Sequence, residues 1–162
     1  MTVAEYNKCV DLHSDALFRF IVKNIRDQDD ARDVVQDAFE KVWLKAAEVP
    51  FEKGKSYLFT TAYRIMLERI RKKSRTSPID NTLRIVPAEE SKPEFDLRKV
   101  LDEAIAKLPD DQRSVIMLRD YEGYSYKEIG DITGLTESQV KVYIFRARVT
   151  LKNYLVATDL VA

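Results

Sequence analysis

The chain holds one thiol, Cys9, and one imidazole, His13. Four residues apart, they fall on one face of a helix, a spacing at which an imidazole can take a proton from a thiol. Tyr6, Val10, Ala16, Leu17, Phe20 and Ile21 follow the same three- and four-residue steps, so the pair lies on an apolar stripe. No third group is visible to orient the imidazole. The expectation is a buried thiol beside a core-edge imidazole, not a catalytic pair. A single cysteine closes no disulfide within the chain, and with one histidine it builds no zinc cluster. No catalytic residue, metal ligand or cofactor is therefore expected.

The cations are better placed for chemistry, the binding of a polyanion. Lys and Arg number 27 and Asp and Glu number 27, a net charge of zero, but the signs are segregated. Between Arg64 and Arg75 stand Arg64, Arg69, Arg71, Lys72, Lys73 and Arg75 against Glu68 alone. Between Thr136 and Lys152 stand Lys141, Arg146, Arg148 and Lys152 against Glu137 alone. Acids gather over 27–37 and 80–96. Local sign, not the total, decides where a polyanion docks.

The second basic stretch needs an element to present it, and the turn chemistry supplies one. Ser125 is followed three residues on by Glu128, and Thr136 by Gln139; each pair is a capping box that opens a helix. Gly134 between them can end the first helix in a left-handed residue, and Gly130 leaves room where the helices cross. Two short helices with a glycine turn describe a helix-turn-helix. At about 100° per residue, Val140, Ile144, Ala147 and Leu151 share the inner stripe of the second helix. Ser138, Lys141, Val142, Phe145 and Arg146 lie opposite. A purely solvating face has no reason to display Val142 and Phe145, whereas a face entering the DNA major groove sets them against thymine methyls, with Lys141 and Arg146 on guanine edges or phosphates.

The rest of the chain reads as helices too. One spans about 5–25 and a second about 29–47, the latter with Val34, Val35, Ala38, Phe39, Val42, Trp43 and Ala46 inward and Asp33, Gln36, Asp37, Glu40 and Lys41 outward. That acidic face suits a basic partner or plain solvation, and periodicity does not choose. Residues 49–56, with Pro50 and Gly54, read as a loop. A third helix over about 55–73 turns Leu58, Phe59, Ala62, Ile65, Met66 and Ile70 inward and Arg64, Arg71, Lys72 and Arg75 outward. Tyr57, Phe59 and Tyr63 stand beside that stripe, either as stacking surfaces for unpaired bases or as core. Pro78, Pro87 and Pro93 mark a linker over 76–94. Leu97, Val100, Leu101, Ala104, Ile105 and Leu108 then begin a second unit, with Pro109 opening its next helix. The expected architecture is all-α: a unit over 1–75 and a unit over 95–162 containing the helix-turn-helix, joined by a flexible linker. No signal peptide and no span of about 20 apolar residues is present, so a cytoplasmic protein without membrane insertion is expected.

This layout resembles the extracytoplasmic-function sigma factors of bacterial RNA polymerase across nearly the whole chain. Residues 30–43 (DARDVVQDAFEKVW) are similar to the family's region 2.2, and 57–72 (YLFTTAYRIMLERIRK) to its regions 2.3 and 2.4. Residues 108–151 are similar to region 4, with L-P-x-x-x-R, G-x-S-Y-x-E-I and V-K-x-x-x-x-R-A-R in order. The resemblance implies that Asp33, Gln36, Asp37 and Glu40 bind the clamp helices of the polymerase core's largest subunit. It implies that Tyr57, Tyr63, Arg64, Arg71, Lys72 and Arg75 serve the −10 element of promoter DNA. Ser138, Gln139, Lys141, Val142, Phe145, Arg146 and Arg148 would serve the −35 element. The acidic linker would occupy the RNA exit path, and an anti-sigma factor is an implied partner. Where the family often has Asn, Asp and Trp, this chain has Arg64, Glu68 and Tyr57, which makes phosphate as open to Arg64 as a base edge. The rival reading from the residues alone is a stand-alone helix-turn-helix regulator.

Overall fold

The computed structural model describes residues 1–76 and 97–157. All regular structure among them is helical, and it divides into two units, one on each side of the undescribed stretch. The expected linker, with Pro78, Pro87 and Pro93, and Phe95 lie outside the described residues. Thr76 lies at the end of a helix.

The first unit is three helices, α1 (Val3–Ile25), α2 (Gln28–Leu44) and α3 (Gly54–Thr76), each packed on the other two. Helix α1 opens on a capping box: the Glu5 amide donates to Thr2 Oγ1 at 3.1 Å, and the Thr2 amide donates to Glu5 Oε1 at 2.9 Å. It ends at Arg26, left-handed at φ 61°, whose amide donates to the Val22 carbonyl at 2.7 Å. One residue later Asp27 caps α2, accepting from the Asp30 amide at 3.1 Å. So tight a junction lays α1 and α2 against each other. Leu17, Phe20 and Ile21 of α1 meet Val34, Ala38 and Val42 of α2 and Leu58, Phe59 and Met66 of α3 in the core. The Phe20 and Phe59 rings meet at a 45° tilt, 5.6 Å between centroids.

Two boundaries differ from the pattern reading. Helix α2 stops at Leu44, and the chain continues in two short 3-10 turns, Ala46–Glu48 and Phe51–Lys53. Helix α3 then begins at Gly54, inside the stretch expected to be loop. Gly54 is right-handed (φ −59°) and buried. A Cβ there would stand 2.8 Å from Cys9 Sγ, so this glycine answers a packing demand and breaks no helix. Cys9 is buried as expected, which pushes its thiol up, and His13 is half-buried, its imidazole held down by burial and by nearby Lys55. Trp43, assigned to the core stripe, is instead 45% exposed. Its ring meets Tyr6 edge-on at 4.9 Å, while the Tyr6 hydroxyl donates to the Phe39 carbonyl at 2.8 Å.

The second unit holds α4 (Leu97–Ala106), α5 (Asp110–Ile116), a π turn (Met117–Tyr121), α6 (Tyr126–Thr133) and α7 (Glu137–Ala157). Helix α7 is the hub, packing on α4, α5 and α6. Leu97, expected inside, is 53% exposed in the first turn of α4, whereas Ala104, Ile105 and Leu108 are buried. Pro109 precedes α5, where its missing amide hydrogen costs nothing.

Arg113 ties α4 to α5. It is 5% exposed and donates to the carbonyls of Leu108 at 3.0 Å and Ala106 at 3.4 Å, and it pairs with Asp110. Carbonyls at a helix C-terminus lack partners inside their own helix, so the guanidinium supplies what α4 lacks. Replacing Arg113 by Leu should cost about 1–3 kcal/mol, because those carbonyls would lose their donor. Amide exchange on the full chain is expected to quicken in α4, α5 and α7 and to stay unchanged in α1–α3; equal loss in both units would contradict this role.

Candidate nucleic-acid interface

The helix-turn-helix is built by its caps. The Glu128 amide donates to Ser125 Oγ at 3.1 Å and the Ser125 amide to Glu128 Oε1 at 3.2 Å. The Gln139 amide donates to Thr136 Oγ1 at 3.1 Å and the Thr136 amide to Gln139 Oε1 at 2.9 Å. Both expected boxes are present. Gly134 is left-handed at φ 80°, and its amide donates to the Gly130 carbonyl at 2.8 Å, closing α6. Gly130 is needed for a different reason from the one expected. A Cβ there would stand 2.9 Å from the Leu135 carbonyl, so it makes room for the backbone of the turn, not for the crossing helix.

Against that turn, α7 is strongly two-faced. Val140, Ile144 and Ala147 are buried, Leu151 half-buried. Val142 is 43% and Phe145 69% exposed. Ser138, Gln139, Lys141, Arg146 and Arg148 are exposed as well. Three of these carry other duties. The Gln139 amide oxygen belongs to the cap. Lys141 lies 3.8 Å from Glu137 and 5.7 Å from the centroid of the Tyr126 ring. Arg148 donates to Asp120 at 2.7 Å, a bond that holds its guanidinium still more firmly protonated.

Asp120 belongs to the π turn, as does Arg119. The Arg119 guanidinium lies 4.6 Å over the Tyr126 ring and donates to the Tyr124 carbonyl at 2.9 Å. Periodicity pointed to neither Arg119 nor Asp120. Both follow the apolar run VIML, and the wide turn alters their facing from that of a regular helix.

On α3, Arg64, Arg71, Lys72 and Arg75 are exposed along one side. Tyr57 is half-buried and lines a cleft of ≈ 300 Å³ with Arg64, Glu68, Lys41 and Lys45. Phe59 is fully buried and Tyr63 is 4% exposed. Both rings belong to the core, so in this conformation Tyr63 presents no face for a base to stack on.

The acidic face of α2 is used in part within the unit. Arg69 donates to Asp37 at 3.0 Å and lies 3.7 Å from Asp33, and Lys73 pairs with Asp30. Two cations of the basic stretch therefore turn toward α2. Gln36 and Glu40 are exposed, and Asp33 and Asp37 keep side-chain exposures of 62% and 48%. Among the described residues, no group of three His, Cys, Asp or Glu is placed to hold a metal, and no helix is long and apolar enough to cross a membrane.

Known proteins share this arrangement. The family profile described as Sigma-70 region 2 matches residues 9–76, and the profile of Sigma-70, region 4 matches residues 98–151. RNA polymerase sigma factor SigV of Bacillus subtilis (strain 168) is 28% identical over 156 residues, covering 94% of this chain and 92% of that protein. ECF RNA polymerase sigma factor SigE of Mycolicibacterium smegmatis is 28% identical over 157 residues, covering 93% of this chain; the chain spans only 61% of that protein's length. Among solved structures, the sigma factor RpoE of Bartonella quintana, in complex with the anti-sigma factor NepR, superposes with a TM-score of 0.80 at 27% identity, covering 94% of this chain and 98% of that one.

The contrast between neighbours on α7 is directly testable. Ile144→Ala removes a buried side chain and should cost about 2–5 kcal/mol. Phe145→Ala removes a larger side chain from solvent and should change stability by less than about 0.5 kcal/mol. Denaturant unfolding compares them; equal losses would mean that Phe145 is packed, not displayed.

Proposed function

We propose that this chain, which belongs to the extracytoplasmic-function sigma factors of bacterial RNA polymerase, divides promoter recognition between its units, gripping core polymerase and the −10 element with the first and reading the −35 element with the second. Sigma factors are transcription initiation factors, so the work is done by binding free energy, applied to placing polymerase on a promoter and holding melted DNA. The observation that carries the division of labour is the displayed face of α7. Val142 and Phe145 stay in solvent because Val140, Ile144 and Ala147 fix the helix from the other side. Lys141 and Arg146 stand beside them, the mixture a thymine- and guanine-containing major groove would accept.

Ser138, Gln139, Lys141, Val142, Phe145 and Arg146 would thus meet base edges and nearby phosphates, with Gln139 limited by its cap. Arg119, held over Tyr126, is added as a phosphate ligand at the edge of the same face. On the first unit, Arg64, Arg71, Lys72 and Arg75 would follow the backbone of the opened strand, with Tyr57 and the cleft beside it receiving the −10 region. Tyr63 is reassigned to the core that supports them. Asp33, Gln36, Asp37 and Glu40 would take the clamp helices of the largest polymerase subunit, a basic partner for an acidic face. Of two similar solved chains, the sigma factor RpoE is bound to the anti-sigma factor NepR, and CnrH is bound to the cytosolic domain of CnrY. We extend an anti-sigma partner, and a cytoplasmic site of action, to this protein.

Purification with core polymerase followed by run-off transcription on a fragmented genomic library tests the whole reading. Transcripts from a small set of promoters sharing one −35/−10 spacing are expected; duplex binding by the protein alone, with no polymerase complex, would point to a stand-alone regulator. Within that assay Arg146→Ala should weaken −35 recognition by about 1–3 kcal/mol, and an unchanged promoter preference removes Arg146 from the reading set. Glu40→Arg should abolish the polymerase complex while the chain stays folded. It is a sharper probe than a change at Asp37, which would also break the bond to Arg69.

A further inference from the structure

We infer that Asp120 is a positioning residue for duplex recognition: it holds Arg148 against the π turn and so keeps this guanidinium off the phosphates of non-cognate DNA. The inference rests on the reading of α7 as the −35 helix.

Residues 141 and 148 are seven apart, so they share one flank of α7. Arg146 lies toward the other edge of the displayed face. The flank bearing Lys141 and Arg148 is met by the π turn. That turn delivers two adjacent residues to the two helices of the helix-turn-helix: Arg119 to Tyr126 at the start of α6, and Asp120 to Arg148 of α7. Its backbone is wide enough to do so because the Glu122 amide donates five residues back, to the Met117 carbonyl, at 3.2 Å. A regular helix would turn Asp120 to a different heading.

Exposure argues that this pair is not there for stability. The Arg148 and Asp120 side chains are 51% and 44% exposed, and a pair this open adds little to a fold. What it does change is charge. A guanidinium bonded to a carboxylate at 2.7 Å presents a near-neutral pair to a polyanion, in a region whose other cations are Arg146, Arg119 and Lys141, the last 3.8 Å from Glu137. Phosphate contacts are independent of sequence and dominate non-specific binding. Holding one cation back lowers that background without touching the base-reading side chains. On a cognate site, where base contacts fix the helix in register, Arg148 can exchange its carboxylate for a phosphate.

The test uses the full-length chain and a short fluorescent duplex of arbitrary sequence, titrated across about 0.05–0.3 M KCl, a range over which counterion release is readable. Asp120→Asn should raise affinity about fivefold near 0.1 M salt and steepen the log–log salt slope by about 0.9, one added phosphate contact. Asp120→Glu should restore the original slope, and Asp120→Asn combined with Arg148→Gln should lose the gain. A merely structural Asp120 would leave the slope alone. An unchanged slope in Asp120→Asn, or a gain that survives Arg148→Gln, overturns the inference. Arg146→Ala separates the two levels. If it weakens duplex binding while Asp120→Asn is silent, only the inference falls. Arg148→Gln alone should change little on this duplex, because Asp120 already holds that guanidinium back; if Arg146→Ala and Asp120→Asn are both silent, α7 is not on the DNA and both readings fall.

Discussion

A single helix, α7, has to satisfy three others with one face and leave the opposite face open. Its buried stripe is Val140, Ile144 and Ala147, narrow for a helix that serves as the hub of its unit. Nearly everything around it follows from that narrowness. The start of α7 is fixed by its own capping box, the approach of α6 by a left-handed glycine, and the α4–α5 corner by a buried guanidinium. Each device supplies definition that a wider apolar face would have supplied by packing. The displayed face is then bounded by solvent and by flanking contacts to Glu137, Tyr126 and Asp120, which leaves Phe145 in water at a cost the rest of the unit offsets.

The first unit resolves a different conflict. Its core is wide and continuous, so its helices need little polar help to stay together. Besides the bond from the Tyr6 hydroxyl to the Phe39 carbonyl, it has ion pairs, and these are asymmetric. Arg69 and Lys73 turn to α2, and the cations on the far side of α3 face outward. One basic helix thus answers an acidic neighbour along one edge and keeps a cationic edge for a polyanion. The acids on α2 are likewise shared between the unit's own cations and whatever binds from outside, so the surface offered to a basic partner is less negative than the count of carboxylates suggests.

Much of this was legible in the residues. The helix-turn-helix was readable because capping boxes and a turn glycine are local: Ser125 with Glu128, Gly134, and Thr136 with Gln139 need no partner from elsewhere in the chain. The two faces of α7 followed from periodicity. What escaped is non-local or irregular. Gly54 read as a breaker because its reason, the sulfur of Cys9, lies 45 residues away in the sequence. Trp43 read as core because a period cannot tell the centre of a stripe from its rim, where an aromatic edge contact with Tyr6 suffices. Tyr63 was equally plausible as core or as a stacking ring until its burial was known. Arg69 and Lys73 were counted in the basic stretch from Arg64 to Arg75, and the sign of a charge says nothing about which neighbour it meets. The π turn breaks the 3.6-residue period itself, so Arg119 and Asp120 were invisible to any reading based on that period.

Trp43 is the only tryptophan in the chain, and it stands 45% exposed at the end of α2, its ring against Tyr6 and its neighbour Leu44 more exposed still. The molecule therefore carries one native optical label, confined to the first unit. Its emission follows the hydration of that corner and responds to a ligand that covers it, while the second unit, which has tyrosines but no tryptophan, stays dark when tryptophan alone is excited. A change at that corner of the first unit can thus be followed without adding a dye.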